Sequence, residues 1–372
     1  AMAIWGAGIM IGPILGPMLG GWLTDNVNWR WVFYINMPVG ALAFYGIARY
    51  LPQDRPAAVR LDMFGFATLS LGVGLLQMFL DRGEQLDWFN SGEIQLEALG
   101  CAVSFLLFAV HTATTAGQSF FNRALLHDRN FLASVVFGFI LGMVLYATMA
   151  LLPTLLQGMF GYPVVYTGMV MAPRGIGTML AMLLVGRLVH RIDLRLIMGF
   201  GFALTAISLF EMTHMTLDMD SQLIVVSGFV QGLGIGFTFV PLSAAAFATL
   251  DPALRNDGTP IYSLMRNIGS SVGISIVQAL LTEGSARAHA ELAADINEAN
   301  PVLQSLPPAL DPHTHSRLML LNIEVSRQAT MMAYVDDFRV MMVITLLAMP
   351  LLLLLRKARQ QPEQTAPADA GH

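Results

Sequence analysis

The sequence has few charged residues. Asp, Glu, Lys and Arg make up 12% of its 372 residues, against about 25% in soluble domains. Among its 20 basic residues Lys357 is the only lysine. The net charge of −5 therefore gives no indication of nucleic-acid binding. This composition argues against a soluble protein and for a membrane protein.

Residues that carry catalytic or metal chemistry are also scarce. Cys101 is the one cysteine and lies in an apolar stretch, which excludes a disulfide within the chain. His313 and His315 have no carboxylate or cysteine companions at metal-ligand spacing. The glycines at 232, 234 and 236 imitate part of a nucleotide-binding loop, but no strand precedes them and no acidic residue follows. The sequence thus predicts no enzyme, no cofactor and no metal site.

Long hydrophobic runs are what the sequence does contain. An apolar segment of about 20 residues is long enough to cross the hydrocarbon core as a helix. The backbone must satisfy its own hydrogen bonds in lipid, and segments of this length do so as helices. The sequence therefore predicts an all-α polytopic membrane protein. We place its spans at about 3–22, 32–51, 64–80, 96–115, 131–156, 165–186, 196–213, 222–248, 259–282 and 337–355.

The basic residues orient these spans. If the first span runs outward, one side of the membrane holds eleven basic residues in its loops and tail and the other side holds six. Cytoplasmic loops carry the excess of Lys and Arg, so we expect the C-terminus to be cytoplasmic. The eleven are Arg55, Arg60, Arg123, Arg129, Arg187, Arg191, Arg195, Arg255, Arg356, Lys357 and Arg359.

A glycine-rich face marks the first span. Small residues at four-residue spacing let two membrane helices approach closely, and a proline beside them bends the helix. The residues are Gly12, Gly16, Pro17, Gly20 and Gly21. This run resembles the antiporter motif on the fifth helix of drug:proton exporters of the major facilitator superfamily. Segments 28–40, 60–65 and 80–89 resemble further blocks of the fourteen-helix branch, closest to the EmrB-type exporters.

The resemblance implies the domain organisation. Ten spans that start at a fifth helix leave four helices upstream, so we expect a carboxy-terminal piece of a longer protein. Residues 1–51 would be the last two helices of an incomplete N-terminal bundle, and 52–130 a central two-helix insertion with its linkers. Residues 131–356 would form a complete C-terminal six-helix bundle, followed by a disordered cytoplasmic tail at 357–372.

Two arginines fall well inside predicted spans, away from the span ends. Charged groups within the membrane are costly and are candidates for function. Arg174 and Arg266 either line the transport path or act structurally by binding helix carbonyls or snorkelling. Gln231 and Asn267 either bond between helices or line a cavity. Asp25, at the end of the first span, is a further candidate for the path.

The acidic residues, unlike these arginines, lie near the ends of the predicted spans. No acid falls at the centre of a predicted span, and Glu211 is the nearest internal candidate. In the family that the chain resembles, the acid that carries the proton lies on the first helix. The resemblance therefore implies proton coupling through residues upstream of Ala1, driven by the proton motive force.

A long hydrophilic segment, 283–336, precedes the last predicted span. We predict helices at about 285–299 and 316–332, separated by the prolines between 301 and 312. EmrB-type proteins carry a similar loop. It is either a solvated connector or a docking surface for a periplasmic adaptor subunit, and the second reading implies the inner membrane of a Gram-negative bacterium.

From the resemblance we expect proton-coupled efflux of amphipathic drugs or toxic compounds by alternating access. Its partners would be small-molecule drugs, protons and membrane lipid. Two alternatives remain at this stage. One is an exporter dedicated to a single metabolite, such as a fatty acid or an antibiotic. The other is a membrane scaffold or fragment that transports nothing.

Overall fold

The computed structural model describes residue 16 and residues 19–50, 62–115, 122–189, 191–294, 296 and 315–355. Within these ranges the regular structure is entirely helical. Residues 19–26 are helical, and the α-helices after them are numbered in chain order. They are α1 (Trp31–Tyr34), α2 (Asn36–Tyr50), α3 (Met63–Arg82), α4 (Gly92–Thr114), α5 (Arg129–Gly158), α6 (Val164–Leu188), α7 (Leu194–Met212), α8 (Ser221–Ala248), α9 (Arg255–Ala294) and α10 (His315–Ala348).

Nine segments of the described chain are long and apolar enough to span a membrane. They coincide with nine of the predicted spans, and the predicted all-α membrane fold is confirmed. The other predicted span, 3–22, lies mostly outside the described residues. The division of the chain into an N-terminal remnant, an insertion, a bundle and a tail stays a prediction.

Helices α5 to α10 pack on one another, with α6 against α8, α7 against α8, and α5 against α9 as the most extensive pairs. Their interior contains two buried apolar clusters. One includes Phe131, Ala181 and Phe237, and the other includes Leu155 and Val170. The basic residues at the helix ends identify the first cluster as the cytoplasmic one under the predicted orientation. Residues between the clusters along α6 and α8 lie near the middle of the bundle.

The last two helices are longer than the predicted spans. α9 has 40 residues and α10 has 34, which is about 60 Å and 51 Å at 1.5 Å per residue, against a core of about 30 Å. They stay paired beyond the apolar part, where Ser285 Oγ lies 3.0 Å from Thr330 Oγ1 and His289 Nε2 lies 3.0 Å from Asn322 Oδ1. Much of segment 283–336 is therefore a continuation of two membrane helices. We call this pair, residues 283–294 and 315–336, the helical extension.

Helices α3 and α4 form a hairpin beside the bundle. Asp62 caps α3 by accepting a hydrogen bond from Gly65 N at 2.8 Å, as its position predicts. His111 Nε2 lies 2.9 Å from the same carboxylate and joins the two helices at this end. At the opposite end, Arg82 pairs with Glu93 at 2.5 Å and with Glu97 at 3.3 Å. The hairpin contacts α9.

Candidate functional site

A buried polar contact joins α5 to α8. Gln231 has no exposed surface, and its Nε2 donates to Thr148 Oγ1 at 3.4 Å. The Thr148 hydroxyl donates in turn to the Val144 carbonyl at 2.6 Å and lies 3.7 Å from Met341 Sδ of α10. Gln231 Oε1 is buried and has no hydrogen-bond partner. An unpaired amide oxygen at this depth is free to accept a hydrogen bond from a ligand or a water molecule.

Arg174 lies next to this contact. It is 7% exposed, so it does not face lipid. Its Nη2 donates to the Leu145 carbonyl of α5 at 3.1 Å, while its buried Nη1 has no partner. The first bond matches the structural reading of this arginine. The unpaired Nη1 leaves the guanidinium able to bind a further acceptor, as the functional reading requires.

Glycines bring Arg174 and Gln231 together. A Cβ atom built at Gly232 would collide with the backbone carbonyl of Arg174, and one built at Gly236 would lie 2.5 Å from Ala181 Cβ. Gly177 of α6 likewise meets the backbone of Phe229. The spacing of glycines in α8 therefore serves close helix packing, which small residues four apart favour in membrane helices. It also sets the arginine against the residues around Gln231.

Asp337 is the polar residue of this region that the sequence analysis misses. It is 1% exposed, and neither carboxylate oxygen has a hydrogen-bond partner. The expectation that no acid falls at the centre of a span is wrong for this residue, because the last apolar helix of the described chain runs from Leu318 to Leu354. The polar stretch Asp336-Asp337-Phe338-Arg339 resembles a span boundary by composition. In the structure α10 begins at His315, and Ala333, Tyr334 and Phe338 around the acid are buried.

Arg266 and Asn267 occupy a different position, on α9. The Arg266 guanidinium carbon lies 5.5 Å from the centre of the Phe239 ring, within the range of a cation–π contact. Its Nε is buried without a partner. Asn267 faces the α3–α4 hairpin and lines a cavity of about 120 Å³ with Gln77 and Ser271, which hydrogen bond to each other. The structure thus separates this pair from the Gln231 contact.

The residues of the glycine-rich motif are only partly described. Gly12 and Pro17 lie outside the described residues. A Cβ atom at Gly16 would meet no atom within 4 Å, and one at Gly20 would reach only Val32 at 4.0 Å. At Gly21 it would lie 3.1 Å from Val164 of α6. Their role in helix packing stays a prediction.

Two acids from the sequence analysis lie at the surface of the described structure. Asp25 is exposed. Glu211 is half-buried and lines an open surface cavity with His214 and Asp220, at the outer end of α7. Neither residue contacts Arg174 or Gln231 through a hydrogen bond. The polar site that the structure assembles is therefore made of Arg174, Gln231 and Thr148, which we call the buried polar site.

The fold and this site define a class of protein. The nine long apolar helices found in the described part of the chain make it a multi-pass membrane protein. Polar groups with unused hydrogen-bonding capacity inside such a bundle are typical of substrate or ion pathways. Comparison with known families then identifies the chain: the model of the Major Facilitator Superfamily matches residues 1–274. The chain belongs to this superfamily, which consists of transporters and not of enzymes.

Known relatives refine the match. The chain is 30% identical over 315 residues to the multidrug export protein EmrB of Escherichia coli K12, covering 84% of this chain and 61% of EmrB. It is 29% identical over 366 residues to the fatty acid resistance protein FarB of Neisseria gonorrhoeae, covering 96% and 71%. The probable multidrug resistance protein EmrY of E. coli K12 is 30% identical over 347 residues, with 91% and 67% covered. The predicted EmrB-type family is confirmed, and the chain spans less than two thirds of the length of EmrB.

Proposed function

We propose that this protein exports amphipathic drugs across the bacterial inner membrane by alternating access, in exchange for protons. The observation that carries the proposal is the buried polar site. Arg174 and Gln231 lie between the two apolar clusters of the bundle and keep unpaired polar atoms. A transporter needs such groups near the bilayer midplane, where substrate binds between alternating halves.

The surroundings of the site suit amphipathic molecules. Apolar helix surfaces enclose a few polar groups, which is the usual composition of a small-molecule site. Met341 contacts Thr148 in this region, and thioether side chains adapt to ligands of varied shape. The relatives EmrB and EmrY are named as multidrug proteins, which supports a broad range of substrates for this chain.

The positions of basic residues support a cytoplasmic C-terminus. Arg129 begins α5, Arg187 lies in the last turn of α6, and Arg195 and Arg255 lie in the first turns of α7 and α9. Successive helices of opposite direction bring all four to one end of the bundle. The C-terminal end of α10 reaches the same end, where Leu352 packs in the apolar cluster with Phe131. The positive-inside rule makes this the cytoplasmic side.

The helical extension lies on the opposite side and is our proposed docking surface for a periplasmic adaptor subunit. It projects beyond the apolar part of α9 and α10, and its two helices are held together by the Ser285–Thr330 and His289–Asn322 contacts. A paired, projecting element offers an ordered surface to a partner. This assignment rests on geometry and on the resemblance of the loop to that of EmrB-type proteins.

A second candidate function is export of one acidic metabolite such as a fatty acid. Arg174 favours it, because among the described residues this buried arginine pairs with no carboxylate, and its Nη1 is unpaired. A carboxylate is the acceptor that a guanidinium binds best. FarB, whose similarity covers 96% of this chain, is named as a fatty acid resistance protein.

Transport by an Arg174→Gln variant distinguishes the two. Cells producing the complete protein are loaded with ethidium, a cationic drug, or with radiolabelled decanoate, and efflux is measured against Arg339→Gln, a control at an exposed surface ion pair. If the protein exports drugs, cells that produce the wild type or the Arg339→Gln control extrude ethidium. For a fatty-acid exporter, decanoate efflux falls about tenfold or more in Arg174→Gln, as expected for loss of a charged hydrogen bond. Absence of efflux of either compound from the wild type would favour the non-transporting scaffold.

A further inference from the structure

Asp337 lies inside the bundle but takes part in none of its polar contacts. Both carboxylate oxygens are buried and unpartnered. In the described part of the chain, no Lys, Arg or His nitrogen lies within ion-pair distance of them. An isolated ionised carboxylate in apolar surroundings is very costly, and such a group becomes neutral instead.

The charged groups nearby do not offset this cost. On its own helix, Tyr334 lies one turn before Asp337, and Asp336 is its neighbour. On the outer halves of the helices packed against α10, the titratable groups are Tyr146 of α5, Glu211 of α7, and Glu283, Arg287, His289 and Glu291 of α9. None of these forms a hydrogen bond or an ion pair with Asp337. Four of the named groups are acids, and they would disfavour a negative charge at this position.

Asp337 is also placed next to the substrate site. Met341 follows it by four residues, so the two side chains lie on the same face of α10. Met341 contacts Thr148, which accepts the hydrogen bond of Gln231. The acid therefore lies about one helical turn from the buried polar site. Charge at Asp337 and the occupancy of that site are close enough to influence each other.

We propose that Asp337 is a proton-binding site of the C-terminal bundle, which takes up a proton from the outer aqueous phase and releases it to the cytoplasm during transport. Uptake converts the carboxylate to the carboxylic acid, and release restores the carboxylate. The neutral form is stable in the packed state described here. The charged form requires water or a cation, which only a rearranged bundle admits.

This inference rests on the proposed function, since it assigns a coupling residue to the exporter. It also changes one expectation drawn from the resemblance, which assigned the coupling acid only to helices upstream of Ala1. With Asp337, the bundle formed by α5–α10 carries a carboxylate of its own. Its protonation can be measured whether or not the protein transports ethidium.

The test uses infrared difference spectra of the complete protein in lipid nanodiscs, recorded between neutral and alkaline buffer. Asp337→Asn is compared with Asp336→Asn, the adjacent acid that is exposed and paired with Arg339. At neutral pH we expect the wild type and Asp336→Asn to show a protonated-carboxyl band that Asp337→Asn lacks. Persistence of the full band in Asp337→Asn would overturn the proposal.

A second variant and a transport assay complete the test. Asp337→Glu keeps a carboxyl group, so the protonated-carboxyl band should remain but shift in frequency. If Asp337→Asn does not fold, this variant decides the question, and absence of the band in Asp337→Glu overturns the proposal.

In proteoliposomes, ethidium export driven by a proton gradient should fall about tenfold or more in Asp337→Asn, while downhill ethidium exchange persists. Equal driven export in both Asn variants would also overturn it. If the wild type moves no ethidium, the proposed function fails and the infrared result still decides protonation.

Discussion

Asp336 and Asp337 are adjacent in the sequence and have opposite environments. The Asp336 carboxylate is 65% exposed and accepts a hydrogen bond from Arg339 Nη1 at 2.8 Å. The Asp337 residue is 1% exposed and has no polar partner. One helical step rotates a side chain by about 100°, which is enough to turn the first acid to the surface of α10 and the second into the bundle. Asp336 therefore forms an exposed ion pair, whereas Asp337 is a buried carboxyl group without a polar partner.

We expect Gly232→Ala to destabilise the bundle. The added methyl group would collide with the carbonyl of Arg174 and push α6 away from α8. Overpacking of this kind costs about 1–3 kcal/mol. Thermal unfolding of the purified protein measures the effect.

Gly74→Ala is the matched control, because a Cβ atom there meets nothing within 4 Å. In a helix this change is neutral or stabilising by up to about 1 kcal/mol. Equal unfolding temperatures for Gly232→Ala and the wild type would show that α6 and α8 are not in close contact at this glycine.

Arg82→Ala should loosen the α3–α4 hairpin. Arg82 is the cation that pairs with Glu97, whose side chain is 7% exposed and whose Oε2 has no partner. Removing the arginine leaves a buried carboxylate unpaired, which is more costly than losing an exposed pair. The unfolding temperature of Arg82→Ala should therefore fall further than that of Glu93→Gln, since the Glu93 side chain is 54% exposed.

The double variant Arg82→Ala/Glu97→Gln checks the cause. Replacing the buried acid with a neutral amide removes the uncompensated charge, so part of the lost stability should return. A double variant that is less stable than Arg82→Ala alone would contradict this explanation.

A cysteine pair tests the helical extension. In a Cys101→Ala background, Ser285→Cys and Thr330→Cys should form a disulfide on mild oxidation, because their hydroxyl oxygens lie 3.0 Å apart and the Cβ atoms of a disulfide are about 3.5–4.5 Å apart. Loss of maleimide labelling that dithiothreitol restores reports the bond.

The control combines Ser285→Cys with Met332→Cys, which is exposed on another face of α10. It should stay fully labelled. Efficient disulfide formation in the control, or none in the test pair, would show that α9 and α10 are not paired beyond the membrane as described.

Most of the helical architecture could be predicted from the sequence. Hydropathy and length locate nine of the described spans because lipid requires each to be a continuous apolar helix. The same signal misplaced the start of the last helix, which was predicted at 337 because Asp336, Asp337 and Arg339 lower the local hydropathy. A hydropathy window averages around the helix, so it does not separate an acid on the buried face from one on the exposed face.

The site was predicted in part for a related reason. Arg174 and Gln231 stand out as polar residues in apolar runs, and both are buried in the bundle. Their closeness depends on α6 and α8 packing at Gly232, and helix pairing is not encoded in the spacing within one helix. Asn267 is equally conspicuous in sequence but faces the hairpin instead. The orientation of each helix about its axis decides which residues meet.

The central claim of proton-coupled export is tested most directly by proton flux. The complete protein is reconstituted in liposomes that contain the pH-sensitive dye pyranine, and ethidium is added to the side from which it is transported. The account predicts a pH change that depends on ethidium, is abolished by a protonophore, and is much smaller in Asp337→Asn than in Asp336→Asn. Ethidium transport without any accompanying pH change would contradict it.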